Sequence, residues 1–254
     1  MHRFYQVLMA LMATFFIFTA SAQEPDPAID KGAMEALNNM GSYLSKLSAF
    51  RVETSTTRET VLEDGQKIQY EGNVDALVRA PNGLRIHVVN DRHERLYLYD
   101  GKHFTLWGQR INYYATVDAP ATIRLLLDAL EENYNITLPL TDLFLWGSDE
   151  ANSAAITAAT NLGSAVVGGT TCEHYAFRQD DIDWQVWIQK GDFPLPRKLV
   201  ITTRTDDARP QYTASYRWDL APSFNDAAFI FEPPEGALRV VLENDSLTPD
   251  DSDE

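Results

Sequence analysis

"DGQKIQYEGNVDALVRAPNGLRIHVVNDRHERLYLYDG", residues 64–101, carries the information that decides the fold. Asp64-Gly65, Asn82-Gly83 and Asp100-Gly101 are dipeptides that favour the primed turns of β-hairpins, where positive φ suits Asn, Asp and Gly. They recur 18 residues apart. Between the first two, Ile68, Tyr70, Val74, Ala76 and Val78 alternate with Gln69, Glu71, Asn73, Asp75 and Arg79. A period of two leaves one face apolar and one polar, as in an antiparallel sheet wet on one side. Leu84, Ile86 and Val88 continue the pattern, and Asn90-Asp91-Arg92 offers a further turn. "RLYLYDGKHFTLW" (95–107) then makes a tight hairpin, and "INYYATV" (111–117) adds a strand.

A second block of alternation follows Gly168-Gly169. It comprises "TCEHYAFRQ", "WQVWIQ", "RKLVITTRT" and "QYTASYRWDL". In "DWQVWIQKGDFPLPRKLVI" (183–201), Trp184, Val186 and Ile188 alternate with Gln185, Trp187 and Gln189, and Gly191-Asp192 supplies the turn. The charges Lys190, Asp192, Arg197 and Lys198 gather around that turn, where water solvates them, so the stretch reads as a hairpin and not as a catalytic cluster.

Helical spacing appears in two other places. Met34, Leu37, Met40 or Gly41, Leu44 and Leu47 form one stripe in a predicted helix over 28–47, with Pro27 in its first turn and Asp26 as a cap. From Pro120, Ile123, Leu126, Leu127, Leu130 and Tyr134 follow the same period, and "LPLTDLFLW" (138–146) is short and apolar nearly all round. "DEANSAAITAATNLG" (149–163) reads as a weak helix leading into a strand. Helix, meander, helices, meander is an α+β order, with one continuous antiparallel sheet interrupted by helices.

The ends of the chain bear on its location. His2 and Arg3, an apolar run from Val7 to Phe18 and Ala20-Ser21-Ala22 have the three parts of a secretory signal peptide, so 1–22 is expected to be removed. No cysteine adjoins the expected cleavage site, so no lipid anchor is expected there, and no later segment is apolar for long enough to span a membrane. Residues 23–243 are expected to form a single domain. Residues 244–254 complete an acidic, aromatic-free tail with the composition of a disordered segment. The formal net charge of −16 argues against nucleic acid and anionic lipid as partners.

Signatures of catalysis are absent. No G-x-S-x-G elbow or phosphate-cradling glycine loop occurs, and the lone Cys172 has only His174 nearby. His87, His93, His103 and His174 lack metal-ligand spacing, and the acids of "DDID" (180–183) lack the glycine and distal glutamate of a calcium loop. Neither metal nor cofactor is expected. A large curved sheet with amphipathic helices laid across it can instead enclose an apolar cavity. Trp107, Tyr114 and Trp187 are candidates to line it.

"LYLYDGKHFTLW", "APATIRLLLDAL" with "LPLTDLFLW", "GGTTCEHYAFRQ", "DWQVWIQKGDFPLPRKLVI" and "FIFEPPEGA" occur in this order. Together they resemble a family of predicted periplasmic proteins of Gram-negative bacteria, classed as a domain of unknown function. The resemblance runs from about Ala28 to Val241. More distantly the chain is similar to the lipoprotein carrier LolA, the acceptor LolB and related lipid-binding proteins. That resemblance implies an incomplete antiparallel β-barrel of about eleven strands wrapped around helices 120 to 146, LolA-like, with an apolar cavity. The implied function is that of a soluble periplasmic, non-catalytic binding protein, a carrier or sensor of an acyl chain, lipid or other apolar small molecule. The alternative is a structural or interaction protein of the envelope, with a filled core and an envelope protein as partner. Leu143, Phe144, Leu145 and Trp146 cannot all point to one face of a short helix. Leu143, Phe144 and Trp146, with Leu126 and Leu130, are therefore expected to close the barrel mouth, as a lid or as a fixed plug.

Overall fold

The computed structural model describes residues 29–146 and 155–243. The expected signal peptide, Asp26, Pro27 and the acidic tail lie outside the described residues, as does most of the expected weak helix in 149–163. The elements are α1 (Lys31–Leu44), β1 (Ala49–Val61), β2 (Lys67–Arg79), β3 (Gly83–Asn90), β4 (Glu94–Tyr99), β5 (His103–Gly108) and β6 (Tyr113–Asp118). There follow α2 (Ile123–Tyr134), α3 (Asp142–Leu145), β7 (Ala158–Val167), β8 (Thr170–Arg178), β9 (Ile182–Gln189), β10 (Pro196–Thr203) and β11 (Gln211–Asp219). A 3-10 turn at Asp226–Phe229 and a two-residue β12 (Leu238–Arg239) complete the chain.

All twelve strands form one sheet in the order β12-β6-β5-β4-β3-β2-β1-β11-β10-β9-β8-β7. It consists of two antiparallel meanders, β1–β6 and β7–β11, joined where β1 pairs with β11. The remaining pair is parallel, β12 on β6. The edge strands β12 and β7 do not meet, so the sheet is an incomplete barrel. The chain leaves β6 near one edge and resumes at β7 on the other. The connection carrying α2 and α3 therefore crosses the concave face, and this places the helices inside.

The turns differ from the expected primed pairs in length. Asp64-Gly65 and Asp100-Gly101 do turn with positive φ at glycine, 85° and 92°, but within longer loops. The Asp64 carboxylate accepts the Gln66 N–H, and Asp100 accepts those of Lys102 and His103. At Asn82-Gly83 the reversal is centred one step earlier, at a cis Ala80–Pro81 bond. Gly83 instead begins β3 beside the Phe229 ring, where an added Cβ would lie 3.2 Å from a ring carbon. The hairpin turn at Asp64-Gly65 implies a strand before it without bounding it; β1, which fills that place, is one of the two longest and pairs on both sides. Its inward positions alternate as Phe50, Val52 and Thr54 before becoming polar, so its apolar face is too short to stand out.

Alternation sets the two faces. Phe50, Val52, Val74, Ala76, Val78, Leu84 and Ile86 point inward with Tyr97, Tyr99 and Phe104, and join Trp184, Val186, Leu199, Ala214 and Tyr216 in one buried cluster. α1 adds Ala33, Leu37, Met40 and Leu44 to it. The helix starts later than the sequence pattern suggests because Ile29 is bridged to Ala159 in extended form. Asp30 then caps it, accepting the N–H groups of Gly32 and Ala33 at 2.7 and 3.2 Å. α2 contributes Ile123, Leu126, Leu127 and Leu130. Thr122 caps its start, and Asn135, left-handed at φ 50°, ends it. The Tyr99 hydroxyl donates to the Pro120 carbonyl and ties this helix to the sheet.

Candidate functional site

Segment 138–146 lies over the inner face where the two meanders join. Leu138 and Leu143 are buried, whereas Phe144 and Trp146 are only partly covered although both pack on the core. Phe144 sits 6.4 Å from Phe50, centroid to centroid, and Phe50 in turn lies 5.3 Å from Trp218. The segment is held by little regular structure. α3 has four residues, its Thr141 N-cap makes no side-chain capping bond, and Leu140 is left-handed at φ 63°. A β-carbon in that region is disfavoured.

Of the eight residues expected to line or close the interior, five belong to the buried core cluster or pack against it. Leu126 and Leu130 of α2 are almost fully buried, Leu143 is buried, and Phe144 and Trp146 complete the group. The other three point outward. In β5, Phe104 and Leu106 face in, so Trp107 faces out. It donates its Nε1–H to Asn112 at 3.3 Å. Trp107 and its cross-strand neighbour Tyr114 pack on Phe231 of the C-terminal segment, with centroids 5.8 and 5.0 Å away. In β9, Trp184, Val186 and Ile188 face in, so Trp187 faces out. It stacks on His174 at 3.9 Å, with Lys198 Nζ 4.8 Å from the ring centroid. Bulky aromatics on the outer face carry no sequence mark that separates them from core, because the C-terminal segment and neighbouring side chains cover that face too.

Three hydroxyl side chains on the inner face of the seam lie outside the set of expected site residues. Thr54 is opposite Tyr216 in the β1–β11 register, and Tyr212 lies on the same face of β11. Thr54 is 2% exposed, and its hydroxyl is buried without a hydrogen-bond partner. Tyr216 is 8% exposed, and no described residue hydrogen-bonds its hydroxyl or that of Tyr212. Burial, then the fields of Tyr212 and Asp142, push the Tyr216 phenol well above its usual value. Tyr212 is pushed up to about 12 by burial and by Asp142, against the opposing field of Arg58. Asp142 opens α3. Its residue surface is solvent-accessible, yet surrounding protein desolvates the carboxyl and raises its pKa. Sequence offered one faint signal for this group, an acid inside an otherwise apolar run.

A cleft of about 620 Å³ lies at the junction of the meanders, and Thr54, Tyr216, Glu53, Asp75, Arg197 and Arg217 are among the residues that line it. Its carboxylates are held in ion pairs, while Arg197 bonds the neutral Gln189. Arg51 bonds Asp75 at 2.7 Å and approaches Glu53 at 3.2 Å, Arg217 pairs with Glu53, and His87 meets Glu94 at 3.0 Å. Cys172 and His174 do not form a nucleophile–base pair. The buried thiol is pushed up by desolvation, and its sulfur lies 3.5 Å from the Thr170 carbonyl it faces. His174 bonds Gln185 at 3.0 Å. Among the described residues no group of three or more His, Cys, Asp or Glu could hold a metal ion, and no helix is long and apolar enough to cross a membrane.

No curated protein matches the sequence. Among solved structures, the complex of MucA and MucB from Pseudomonas aeruginosa is similar with a TM-score of 0.42 and 13% identity, covering 76% of this chain. The chain spans 59% of the length of that relative. The Mycobacterium tuberculosis lipoprotein LppX gives a TM-score of 0.40 at 10% identity, covering 77% of this chain and 100% of LppX. A LolA superfamily protein from Nitrosomonas europaea gives 0.35 at 9%, covering 78% and 97%. The sequence itself is more specific: residues 33–243 match the family described as predicted periplasmic protein (DUF2092), and the chain belongs to that family of periplasmic proteins.

Proposed function

We propose that the protein is a soluble, non-catalytic binding protein of the periplasm that carries or senses an amphiphile, holding its acyl chain against the concave face of the sheet. The observation that carries this reading is segment 138–146. Two large aromatics pack on the apolar core while remaining partly exposed themselves, in and just after a four-residue helix with no side-chain cap bond and with a left-handed leucine shortly before it. Burying an aromatic or aliphatic side chain is worth about 1.5–3 kcal/mol. A ligand chain replacing those contacts recovers much of what displacing the segment loses, so opening has a modest net cost. Leu126, Leu130, Leu143, Phe144 and Trp146 would meet the chain. The Cys172 thiol, raised by burial and facing the Thr170 carbonyl, gives no support to nucleophilic chemistry.

Mass spectrometry on protein purified natively from the periplasm tests the reading, with titration of decanol as a defined probe. A co-purifying amphiphile, or saturable decanol binding that quenches tryptophan, is expected. Neither a co-purifying amphiphile nor decanol binding would leave the filled-core alternative.

A further inference from the structure

The open barrel leaves two strand edges, and they are finished differently. β12 is two residues long, and its Arg239 donates to the Thr116 carbonyl at 3.2 Å. β7 runs for ten residues and pairs with β8 on one side. On its other side, among the described residues, it is met by the isolated bridge of Ile29 to Ala159, and no strand covers Thr160–Val167. Exposed edges are usually blunted by lysine, proline or short length, because their unpaired N–H and C=O groups invite another strand. β7 has no charged residue and no proline, in a chain with 23% charged residues. It carries one blunting device, the register shift between Asn161 and Gly163. Leu162 and Val166, in its far half, are 53% and 70% exposed.

The pattern of the strand selects its partner. Gly168 and Gly169, at φ 55° and 80°, form a two-residue turn between the paired Val167 and Thr170. Residues flanking such a turn exchange both hydrogen bonds with each other, and alternation then points the N–H and C=O of Val166 and Ser164 to the open edge. A strand that docks there needs the same period and no charge, and β7 has both. Two copies set antiparallel with Ser164 opposite Ser164 bring Leu162 of each against Val166 of the other, apolar on apolar. In that register the residues whose backbone groups face the edge become the hydrogen-bonded pairs. At the centre the Ser164 hydroxyl accepts from Lys190 at 2.9 Å and donates to Glu173 at 3.3 Å. Lys190 and Glu173 form an ion pair at 2.8 Å, so they bring no net charge to the axis. Two chains of formal net charge −16 repel one another, and this strand sets no like charges face to face.

We propose that the free edge of β7 over Leu162–Val166 is a self-association surface, which pairs antiparallel with the same strand of a second copy about a two-fold axis at Ser164 and joins two open sheets into one. So short a contact falls below the roughly 1,200 Å² that stable interfaces bury, so the dimer is weak and reversible. Sedimentation velocity of the chain purified from the periplasm tests this, with monomer expected at about 1 µM and mostly dimer at about 1 mM. Val166→Lys puts a charge on an exposed edge position and should weaken association about tenfold or more, with thermal melting of the dilute protein unchanged. Oxidation of Ser164→Cys reads the register. Across a hydrogen-bonded antiparallel pair the Cα atoms lie about 5.5 Å apart, within disulfide range, so this variant should cross-link to a dimer. Gln66→Cys, in the turn after β1, should not, and the buried Cys172 does not compete. A chain that stays monomeric at about 1 mM overturns the proposal. A dimer that withstands Val166→Lys, or that fails to cross-link through Ser164→Cys, uses another surface and overturns it as well. Growth beyond the dimer means that β7 of one copy joins a different edge of the next, an open-ended contact that overturns the two-fold pairing. None of these outcomes depends on whether the interior binds an amphiphile.

Discussion

Replacing Phe144 and Trp146 together by Ala distinguishes a displaceable cover from a fixed plug. A fully buried Phe or Trp loses about 3–5 kcal/mol on truncation to Ala. Both residues here keep part of their surface in solvent while packing on the core, Phe144 at 6.4 Å from Phe50. That reduces the expected loss to about 2 kcal/mol each. They rest on the same cluster, so the losses are not fully additive, and about 3–4 kcal/mol is expected for the pair. A domain of ordinary stability, about 5–15 kcal/mol, stays folded after such a loss. Leu126→Ala is the comparison, since Leu126 is 1% exposed and its truncation should cost about 2–5 kcal/mol for a single residue. Urea unfolding followed by far-ultraviolet circular dichroism measures the losses without depending on the deleted tryptophan. Decanol titration measures uptake. The cover reading expects the double variant to change decanol affinity by about fivefold or more. A loss above about 6 kcal/mol with unchanged decanol binding, the sum for two core aromatics, would refute it.

The remaining predictions concern single groups. The Tyr212 phenol, raised from 10.0 to about 12 in the folded chain, contributes stability that is fully present below the unfolded value. That contribution is lost as pH rises through the folded value. At about 1.4 kcal/mol per pH unit the loss approaches 3 kcal/mol, and Tyr212→Phe should flatten the corresponding part of an alkaline denaturation curve. Trp187→Ala removes a ring stacked on His174 on the outer face; it should destabilise by about 1 kcal/mol, with decanol titration unchanged. Cys172 is buried, with its thiol raised by desolvation. A disulfide-exchange reagent should modify it at the rate of unfolding in native buffer and at once in denaturant; rapid native modification would contradict its placement.

The strands were legible because their signal is local. In residues 64–101 the period of two and the turn residues lie within a few positions of each other, and the resulting meander is the one found, at slightly different turn lengths. The α1 and α2 stripes were legible for the same reason, each repeating within a single turn or two of helix. The pairing of β1 with β11 was not, since Arg51 and Asp219 lie far apart in the chain and no short-range pattern reports which strands meet. That pairing, with α2 and α3 crossing between the two edges, decides which side of the sheet is interior. Alternation alone separates Trp184 from Trp187 and Phe104 from Trp107 without saying which of each pair the helices cover, and the C-terminal segment buries outer residues as well. The Thr54–Tyr216 pair depends on the same long-range closure, because the two face each other only once β1 and β11 have paired.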